Sequence, residues 1–80
     1  MPVDVLRIAL PLPLPQLFDY RAPGAGPVSA ADVGRRIRVP FGPRQLVGVV
    51  AATGPADAAA PTLREALEWL DDQPLFQGEP

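Results

Sequence analysis

Cysteine, histidine and lysine are all absent from this chain of 80 residues. Without cysteine no disulfide can form, and without cysteine and histidine the usual zinc ligands, the thiol nucleophile and the commonest general base are missing. The sequence also contains no glycine-rich phosphate loop ending in Lys-Ser or Lys-Thr. We therefore predict that these residues form neither a catalytic site nor a metal site, and that they do not hydrolyse ATP.

Long hydrophobic runs are absent as well. No stretch approaches the roughly 20 apolar residues that a membrane span requires. The N-terminus has neither the basic start nor the continuous apolar run of a secretory signal, because Pro11, Pro13 and Pro15 interrupt it. We predict a cytoplasmic protein that does not engage a membrane.

The length predicts a single domain, 1–80, and a domain of this size buries only about 60% of the surface that its unfolded chain exposes. Hydrophobic residues make up 48% of the composition, but many of them are alanine. The core must therefore come from valine, leucine, isoleucine and the few aromatic residues. Residues 71–80 are a polar tail around Leu75 and Phe76, so we expect the domain to be truncated at its C-terminus and to lead into a missing remainder.

Proline and glycine divide the chain into short extended segments. Stretches that are rich in β-branched and aliphatic residues, or that alternate in polarity, predict strands at 3–10, 17–21, 36–41 and 46–52. Residues 42–45 predict the hairpin turn between the last two strands. Gly48, inside the fourth strand, predicts a bulge or a close backbone approach.

The segments between these strands are less regular. Alternating prolines at 11–15 predict an extended crossing or a sheet edge, and 23–27 and 54–61 are typical of loops. Residues 29–32 predict one helical turn. The last element is ambiguous, because 63–70 contains strong helix formers and apolar residues at helical spacing, so local propensity favours a helix.

The net charge of −2 hides a strong asymmetry. Residues 1–64 hold all seven arginines and four of the nine carboxylates, whereas 65–80 hold the other five carboxylates and no basic residue. Between 33 and 56 there is no acid, and this basic segment contains Arg35, Arg36, Arg38 and Arg44. Such a segment is either a solvated strand face or a local positive field that attracts nucleic acid.

Three short segments place chemistry-bearing residues on neighbouring strands: 18–20 (Phe-Asp-Tyr), 38–42 (Arg-Val-Pro-Phe-Gly) and 48–50 (Gly-Val-Val). Together they offer a lone carboxylate, aromatic rings and a glycine turn close to arginines, which suits a pocket for the end of a nucleic-acid strand. Each residue also has a purely structural interpretation. Asp19 can pair with an arginine or cap a turn, Phe18 can pack in the core, and Gly42 can serve only the hairpin turn.

In their order and spacing these segments resemble the N-terminal part of the PriA family of replication-restart helicases, also called primosomal protein N′. The resemblance also includes 9–14 (Ala-Leu-Pro-Leu-Pro-Leu), Gly34 and 70–76 (Leu-Asp-Asp-Gln-Pro-Leu-Phe), so it spans almost the whole chain. It implies an all-β fold, a small OB-like β-barrel, in which 63–70 is a strand rather than a helix.

The same resemblance implies a function. In the family this region is the DNA 3′-end-binding domain, which binds the end of a strand at arrested replication forks, without base specificity, and guides the helicase there. DNA with a free 3′ end is the partner so implied, with other primosome proteins as further partners. The family's helicase motifs and zinc site are missing here, so ATP and zinc would belong to the remainder and this chain would need no cofactor.

Carried over position by position, the family's end-binding pocket corresponds to Phe18, Asp19 and Gly42, and a basic residue that is often lysine in the family corresponds to Arg64. An ionised aspartate accepts a hydrogen bond from a free 3′-hydroxyl and repels a 3′-phosphate. Phe18 would stack on any terminal base, and Gly42 would admit a close backbone approach. Arg44 and Arg64 would meet phosphates.

A second class of function fits the same sequence. The domain could be a small β-barrel that serves only as a protein interaction or assembly domain. In that case Trp69 and Phe76 would pack on the missing remainder of a larger protein, and DNA ends would not be recognised.

Overall fold

The computed structural model describes residues 4–56 and 63–73. Over these ranges the chain forms six strands: β1 (Asp4–Ala9), β2 (Phe18–Arg21), β3 (Arg36–Phe41), β4 (Arg44–Pro55), β5 (Arg64–Glu65) and β6 (Glu68–Trp69). Two 3₁₀ turns, Pro23–Ala25 and Ala30–Asp32, are the only helical elements in the described part. The predictions made for 1–3, 57–62 and 74–80, including those for Leu75 and Phe76, lie outside the described residues.

All six strands belong to one sheet with the order β5-β2-β1-β4-β3-β6. β1 pairs antiparallel with β2 and with β4, and β3 pairs antiparallel with β4 and with β6. β5 pairs parallel with β2. The two edge strands, β5 and β6, are separated in the chain only by Ala66 and Leu67. The sheet must therefore curl until its two edges approach each other, and the predicted small OB-like all-β fold is confirmed.

The core lies inside this curled sheet and is mainly aliphatic. Its buried members are Leu6, Ile8, Tyr20, Ala22, Ile37, Val39, Leu46, Val50 and Ala66. In β3 the polar and apolar residues alternate as predicted, with Ile37 and Val39 fully buried and Arg36 exposed. The other described aromatic residues, Phe18, Phe41 and Trp69, are only partly buried and pack against the edge of this core.

The β3–β4 hairpin turns over two residues, Gly42 and Pro43, because Phe41 and Arg44 are paired in the register. Gly42 has a φ of +59°, a value that glycine adopts without strain and that suits the first position of a tight hairpin loop. The predicted turn at 42–45 was too long, since Arg44 and Gln45 already belong to β4. β4 also continues past the predicted end to Pro55, because Asp4 of β1 pairs with Pro55.

Gly48 is a point of close backbone approach, as its position in the strand predicted. A Cβ there would lie 2.5 Å from Ile8 Cγ2 and 2.6 Å from the Ala9 carbonyl oxygen. The bulge lies elsewhere in β4: Arg7 pairs with Ala52 and Ile8 pairs with Val50, so Ala51 is the extra residue. Bulges increase the local bend of a strand, which helps the sheet to curl.

The connections are more tightly turned than predicted. At 10–16 the chain is not part of the sheet, and two three-residue turns form where Leu12 N–H donates to the Leu10 carbonyl and Gln16 N–H donates to the Leu14 carbonyl.

The predicted helical turn at 29–32 is confirmed as a 3₁₀ turn with a capping box. Ser29 Oγ accepts from Ala31 N–H, and Asp32 Oδ2 accepts from Ser29 N–H.

The segment at 63–70 forms the two short strands β5 and β6, so the helix favoured by local propensity was wrong and the strand implied by the resemblance is correct. Its backbone donors bond to neighbouring strands: Ala66 N–H to the Arg21 carbonyl, Leu67 N–H to the Arg38 carbonyl and Leu70 N–H to the Arg36 carbonyl. These long-range hydrogen bonds, together with the burial of Ala66, outweigh the helix propensity of the sequence.

Candidate nucleic-acid interface

Two aromatic rings from different strands meet at the hairpin. Phe18, the first residue of β2, and Phe41, the last residue of β3, have ring centroids 5.4 Å apart and an interplanar angle of 86°. Edge-to-face contact at this distance is a favourable geometry for an aromatic pair. Both rings are half-buried, so the pair packs on the core and still presents aromatic surface to the outside.

Gly42 follows Phe41 directly and is exposed. Apart from atoms of Gly42 and its chain neighbours Phe41 and Pro43, no heavy atom lies within 4 Å of the position that a Cβ of Gly42 would occupy. The main chain at the hairpin is therefore open to a neighbouring molecule, and the aromatic pair lies immediately beside it.

Tyr20 joins β2 to the same hairpin from the inside. Its hydroxyl donates a 2.6 Å hydrogen bond to the carbonyl oxygen of Pro40, and its side chain is almost fully buried. Burial raises the pKa of the Tyr20 phenol above its ordinary value, and the positive charge of Arg64 opposes part of that rise. Arg64 is the register partner of Tyr20 in the parallel β2–β5 pair and is itself exposed.

Three of the predicted site residues, Phe18, Gly42 and Arg64, are thus linked through Tyr20 and Phe41. We call these five residues the hairpin cluster. Arg44 is close by in the sheet, because it is the exposed register partner of Phe41 at the start of β4. Within the described ranges, neither Arg44 nor Arg64 has an acidic partner at ion-pair distance.

Asp19 faces the other way. Successive side chains of a strand point to opposite faces, so Asp19 lies on the outer face of β2 while Phe18 and Tyr20 turn towards the core. Its carboxylate lies beside Arg7 of β1, its register partner, with 3.9 Å between Asp19 Oδ1 and Arg7 Nε. The side chain of Asp19 remains 31% exposed, so the carboxylate is accessible at the strand that begins with Phe18.

Most of the basic segment is neutralised by the fold. Arg35 pairs with Asp32 at 2.8 Å, Arg36 with Asp71 at 3.0 Å and Arg38 with Glu68 at 3.0 Å. The last contact lacks hydrogen-bond alignment, because Arg38 Nε is buried without a partner that satisfies it. Acids and arginines that are separated in the sequence therefore form ion pairs in the folded domain. Among these four arginines, Arg44 alone has no acidic partner in the described part.

Two other features, a metal-binding group and a membrane-spanning helix, are absent from the described residues. Within 4–56 and 63–73 no three carboxylates lie together in a group that could hold a metal ion. In the same ranges, no helix has the length and apolarity needed to cross a membrane.

Sequence reasoning missed the structural roles of Arg7, Tyr20 and Phe41. Arg7 has no distinguishing feature in the sequence. Its proximity to Asp19 follows only from the register of β1 against β2. Tyr20 and Phe41 were present in the segments singled out, but their partners Pro40 and Phe18 are 20 or more residues away in the chain. Alternation along β2 could have shown that Phe18 and Tyr20 share a face and that Asp19 does not.

A small OB-like β domain that presents a half-buried aromatic pair, an open glycine turn and exposed arginines is typical of a binding domain. The family model of the PriA 3′ DNA-binding domain matches residues 7–79. This chain therefore belongs to the 3′ DNA-binding-domain family of PriA replication-restart proteins.

Curated relatives agree with that family. The chain is 38% identical over 75 residues to the replication restart protein PriA of Haemophilus influenzae, covering 92% of this chain and 10% of that protein. It is 38% identical over 76 residues to the replication restart protein PriA of Treponema pallidum, covering 89% of this chain and 11% of that protein. The chain spans about a tenth of the length of these relatives.

Proposed function

We propose that this domain binds the 3′ end of a DNA strand, without base specificity, and that it directs a replication-restart helicase to arrested forks. The observation that carries the proposal is the contact of Phe18 with Phe41 beside the open turn at Gly42, in a chain of the PriA 3′ DNA-binding-domain family. The sheet brings these residues together although 23 positions separate the two rings in the sequence.

The aromatic rings suit an unpaired terminal base. Every base presents a π-face, so stacking on an aromatic side chain tolerates any base and contributes about 1–3 kcal/mol. Phe18 is half-buried and its ring is in edge-to-face contact with the ring of Phe41, which fixes the stacking surface before DNA arrives. Gly42 supports the proposal because its missing side chain leaves the hairpin backbone open to the sugar of the same nucleotide.

Asp19 provides the preference for a free terminus. Its ionised carboxylate can only accept hydrogen bonds, and a free 3′-hydroxyl is a donor. A 3′-phosphate or a continuing strand would instead bring negative charge to the carboxylate. One residue on the strand that carries Phe18 can thus favour the free end and disfavour its alternatives.

Arg44 and Arg64 provide the affinity that does not depend on sequence. Both are exposed, and neither is neutralised by an acid within the described ranges. Arg64 belongs to the hairpin cluster, and Arg44 is the register partner of Phe41 in that cluster. Contacts of this kind with phosphates weaken steeply as salt rises. DNA is the partner that we propose, in the cytoplasm, and other primosome proteins are partners of the helicase that the domain directs.

The test is a comparison of two DNA ends. A 5′-labelled thymidine decamer that ends in a 3′-hydroxyl and the same decamer with a 3′-phosphate are titrated with the domain, and binding is followed by fluorescence anisotropy. We expect the hydroxyl end to bind at least about tenfold more tightly, because a hydrogen bond to a charged group contributes about 1.5–3 kcal/mol. Equal affinity for the two ends by the unmodified domain would contradict the proposal.

Two further measurements test whether Asp19 causes the preference for the hydroxyl end and whether the terminal base matters. Asp19→Asn keeps the shape of the side chain and removes its charge, so the two ends should bind alike while the melting temperature stays within a few degrees. Decamers that differ only in the terminal base should bind equally. A strong preference for one terminal base would argue against stacking on Phe18 as the mode of recognition.

A further inference from the structure

Arg7 lies beside the Asp19 carboxylate, and the proposed function leaves it without a role. The two are register partners on β1 and β2, and their side chains are 30% and 31% exposed. A separation of 3.9 Å between Arg7 Nε and Asp19 Oδ1 brings the charges together but is too long for a hydrogen bond. Within the described ranges, the Asp19 carboxylate accepts no side-chain hydrogen bond.

Arg7 is held from its other side by β4. Arg7 Nη2 donates a 2.8 Å hydrogen bond to the carbonyl oxygen of Pro55. Its guanidinium also lies over Gly54, where a Cβ would stand 2.6 Å from Arg7 Nη1. The bare Cα of Gly54 therefore makes room for the guanidinium, and the bond to Pro55 draws that group away from full contact with Asp19.

We propose that Arg7 is a specificity-determining residue for the strand end. The hydrogen bond from Arg7 Nη2 to the Pro55 carbonyl oxygen, which we call the tether, holds a positive charge beside Asp19. Held in this way, the guanidinium does not occupy the acceptor oxygens of Asp19. The carboxylate thus stays open to the 3′-hydroxyl of a nucleotide, while its repulsion of the phosphates in the DNA backbone is partly cancelled. This inference rests on the proposed function, because it concerns how Asp19 distinguishes one DNA end from another.

The charge and the tether have opposite consequences when each is removed. Loss of the Arg7 charge leaves Asp19 uncompensated, so all DNA binds more weakly, and a 3′-phosphate, which brings charge closest to the carboxylate, is penalised most. Loss of the tether with the charge retained lets the guanidinium close on Asp19 and compete with the 3′-hydroxyl for its oxygens. The preference for the free end should therefore rise in the first case and fall in the second.

Arg7→Gln and Gly54→Ala separate these two effects. The three atoms nearest to the new methyl group of Gly54→Ala all belong to the flexible tip of Arg7, so the domain should fold and the guanidinium should move. With the two thymidine decamers, Arg7→Gln should raise the ratio of the affinities for the hydroxyl and phosphate ends by about threefold, the size expected for exposed charges several ångströms apart. Gly54→Ala should lower that ratio by a similar factor.

Arg21→Gln is the matched control. Arg21 lies two residues after Asp19 in β2 and is exposed, and its loss removes the same charge without disturbing the Arg7 tether. Arg21→Gln should weaken binding to both DNA ends. It should change the ratio of the affinities for the hydroxyl and phosphate ends less than Arg7→Gln does. Melting temperatures recorded for all variants show that the domain remains folded.

The outcomes distinguish the two proposals. If the unmodified domain does not discriminate between the ends, the proposed function fails. If it discriminates and Arg7→Gln leaves the ratio unchanged or lowers it, the role given to Arg7 is wrong while the proposed function stands. If Arg7→Gln does not fold, Gly54→Ala decides alone, and an unchanged ratio in that variant overturns the inference.

Discussion

The guanidinium of Arg35 lies over the indole ring of Trp69, with its central carbon 3.7 Å from the ring centroid. The same guanidinium bonds to Asp32 Oδ1 at 2.8 Å through Nη1 and to the Asp71 carbonyl oxygen at 2.9 Å through Nε. Arg35 thus connects the 3₁₀ turn before β3 to the segment that follows β6. Because β6 is only two residues long, this contact stabilises a sheet edge that backbone pairing alone would hold weakly.

Asp71 strengthens the same edge and gives it a pH dependence. Its carboxylate accepts from Arg36 N–H at 2.9 Å and from Arg36 Nε and Nη2 at 3.1 and 3.0 Å. These hydrogen bonds hold the pKa of the Asp71 carboxyl below its ordinary value of 3.8. The stability it contributes is therefore present above about pH 3.8 and is lost as the pH falls through the folded-state value. Asp71→Asn should be less stable at pH 7 and should lose this part of the acid dependence, as measured by urea unfolding between pH 2.5 and 7.

Asp72→Asn is the control for that measurement. Asp72 is adjacent and exposed, and it makes no ion pair within the described ranges. Its replacement should leave both the stability at neutral pH and the acid profile close to those of the unmodified chain. Coincident profiles for Asp71→Asn and the unmodified chain would show that the pair with Arg36 contributes nothing to folding.

The segment that Arg35 and Asp71 secure is also where local sequence was most misleading. Its helix formers predict a helix, but a helix would leave the edges of β2 and β3 unpaired and would take Ala66 out of the core. The backbone hydrogen bonds of Ala66 and Leu67 to residues 29 or more positions away decide the conformation, and no local pattern reports them. The hairpin, by contrast, could be predicted, because Gly42 and the alternation along β3 are local signals.

The candidate site was predictable to a similar degree. Phe18 and Gly42 could be singled out because they lie in short segments with a distinctive order of residue types, and their role at a DNA end stays a prediction. The orientation of Asp19 towards Arg7 was not found, since it depends on the register between β1 and β2. The sequence also did not predict that the basic segment would be neutralised. The acids that pair with its arginines come from other parts of the chain, the 3₁₀ turn and 68–71.

Gly48→Ala is expected to destabilise the domain strongly. Its methyl group would lie 2.5 Å from Ile8 Cγ2, 2.6 Å from the Ala9 carbonyl oxygen and 2.7 Å from Leu10 Cδ2. The carbonyl cannot move without disturbing β1, so we expect a loss of about 1–3 kcal/mol in the free energy of unfolding, the usual range for overpacking. Urea unfolding followed by circular dichroism measures it. Gly54→Ala, in the same strand, should lose far less, and equal losses in the two variants would contradict this account.

Tyr20→Phe removes the hydroxyl that bonds to the Pro40 carbonyl and leaves the ring in place. The loss of this largely buried hydrogen bond should lower the free energy of unfolding by about 1 kcal/mol. The variant should also bind DNA ends more weakly, because Pro40 precedes Phe41 and Gly42 in the hairpin cluster. Urea unfolding at pH 7 and the anisotropy titration measure the two effects, and an unchanged stability would show that the hydroxyl is not needed to hold the hairpin.

The same tyrosine predicts a loss of stability in alkali. Since the pKa of Tyr20 is raised in the folded domain, the stability it contributes is complete below its ordinary value of 10.0 and is lost as the pH rises through the folded value. The chain contains one tyrosine, so its ionisation can be followed directly by ultraviolet absorbance in the folded and the urea-unfolded states. The folded state should titrate at the higher pH. Coincident titration curves would contradict the burial of this phenol.

Arg64 and Arg38 carry the same charge in opposite situations, and their variants test which arginines meet DNA. Arg64 is the exposed arginine of the hairpin cluster, whereas Arg38 Nε lies 3.0 Å from Glu68 Oε2. Arg64→Gln should weaken hydroxyl and phosphate ends alike and should reduce the slope of log affinity against log salt by about 0.7, the value for one phosphate contact with a single strand. Arg38→Gln should leave that slope unchanged, because its charge is already balanced by Glu68. The slopes come from anisotropy titrations between 50 and 200 mM salt, and equal slopes for Arg64→Gln and the unmodified domain would remove Arg64 from the interface.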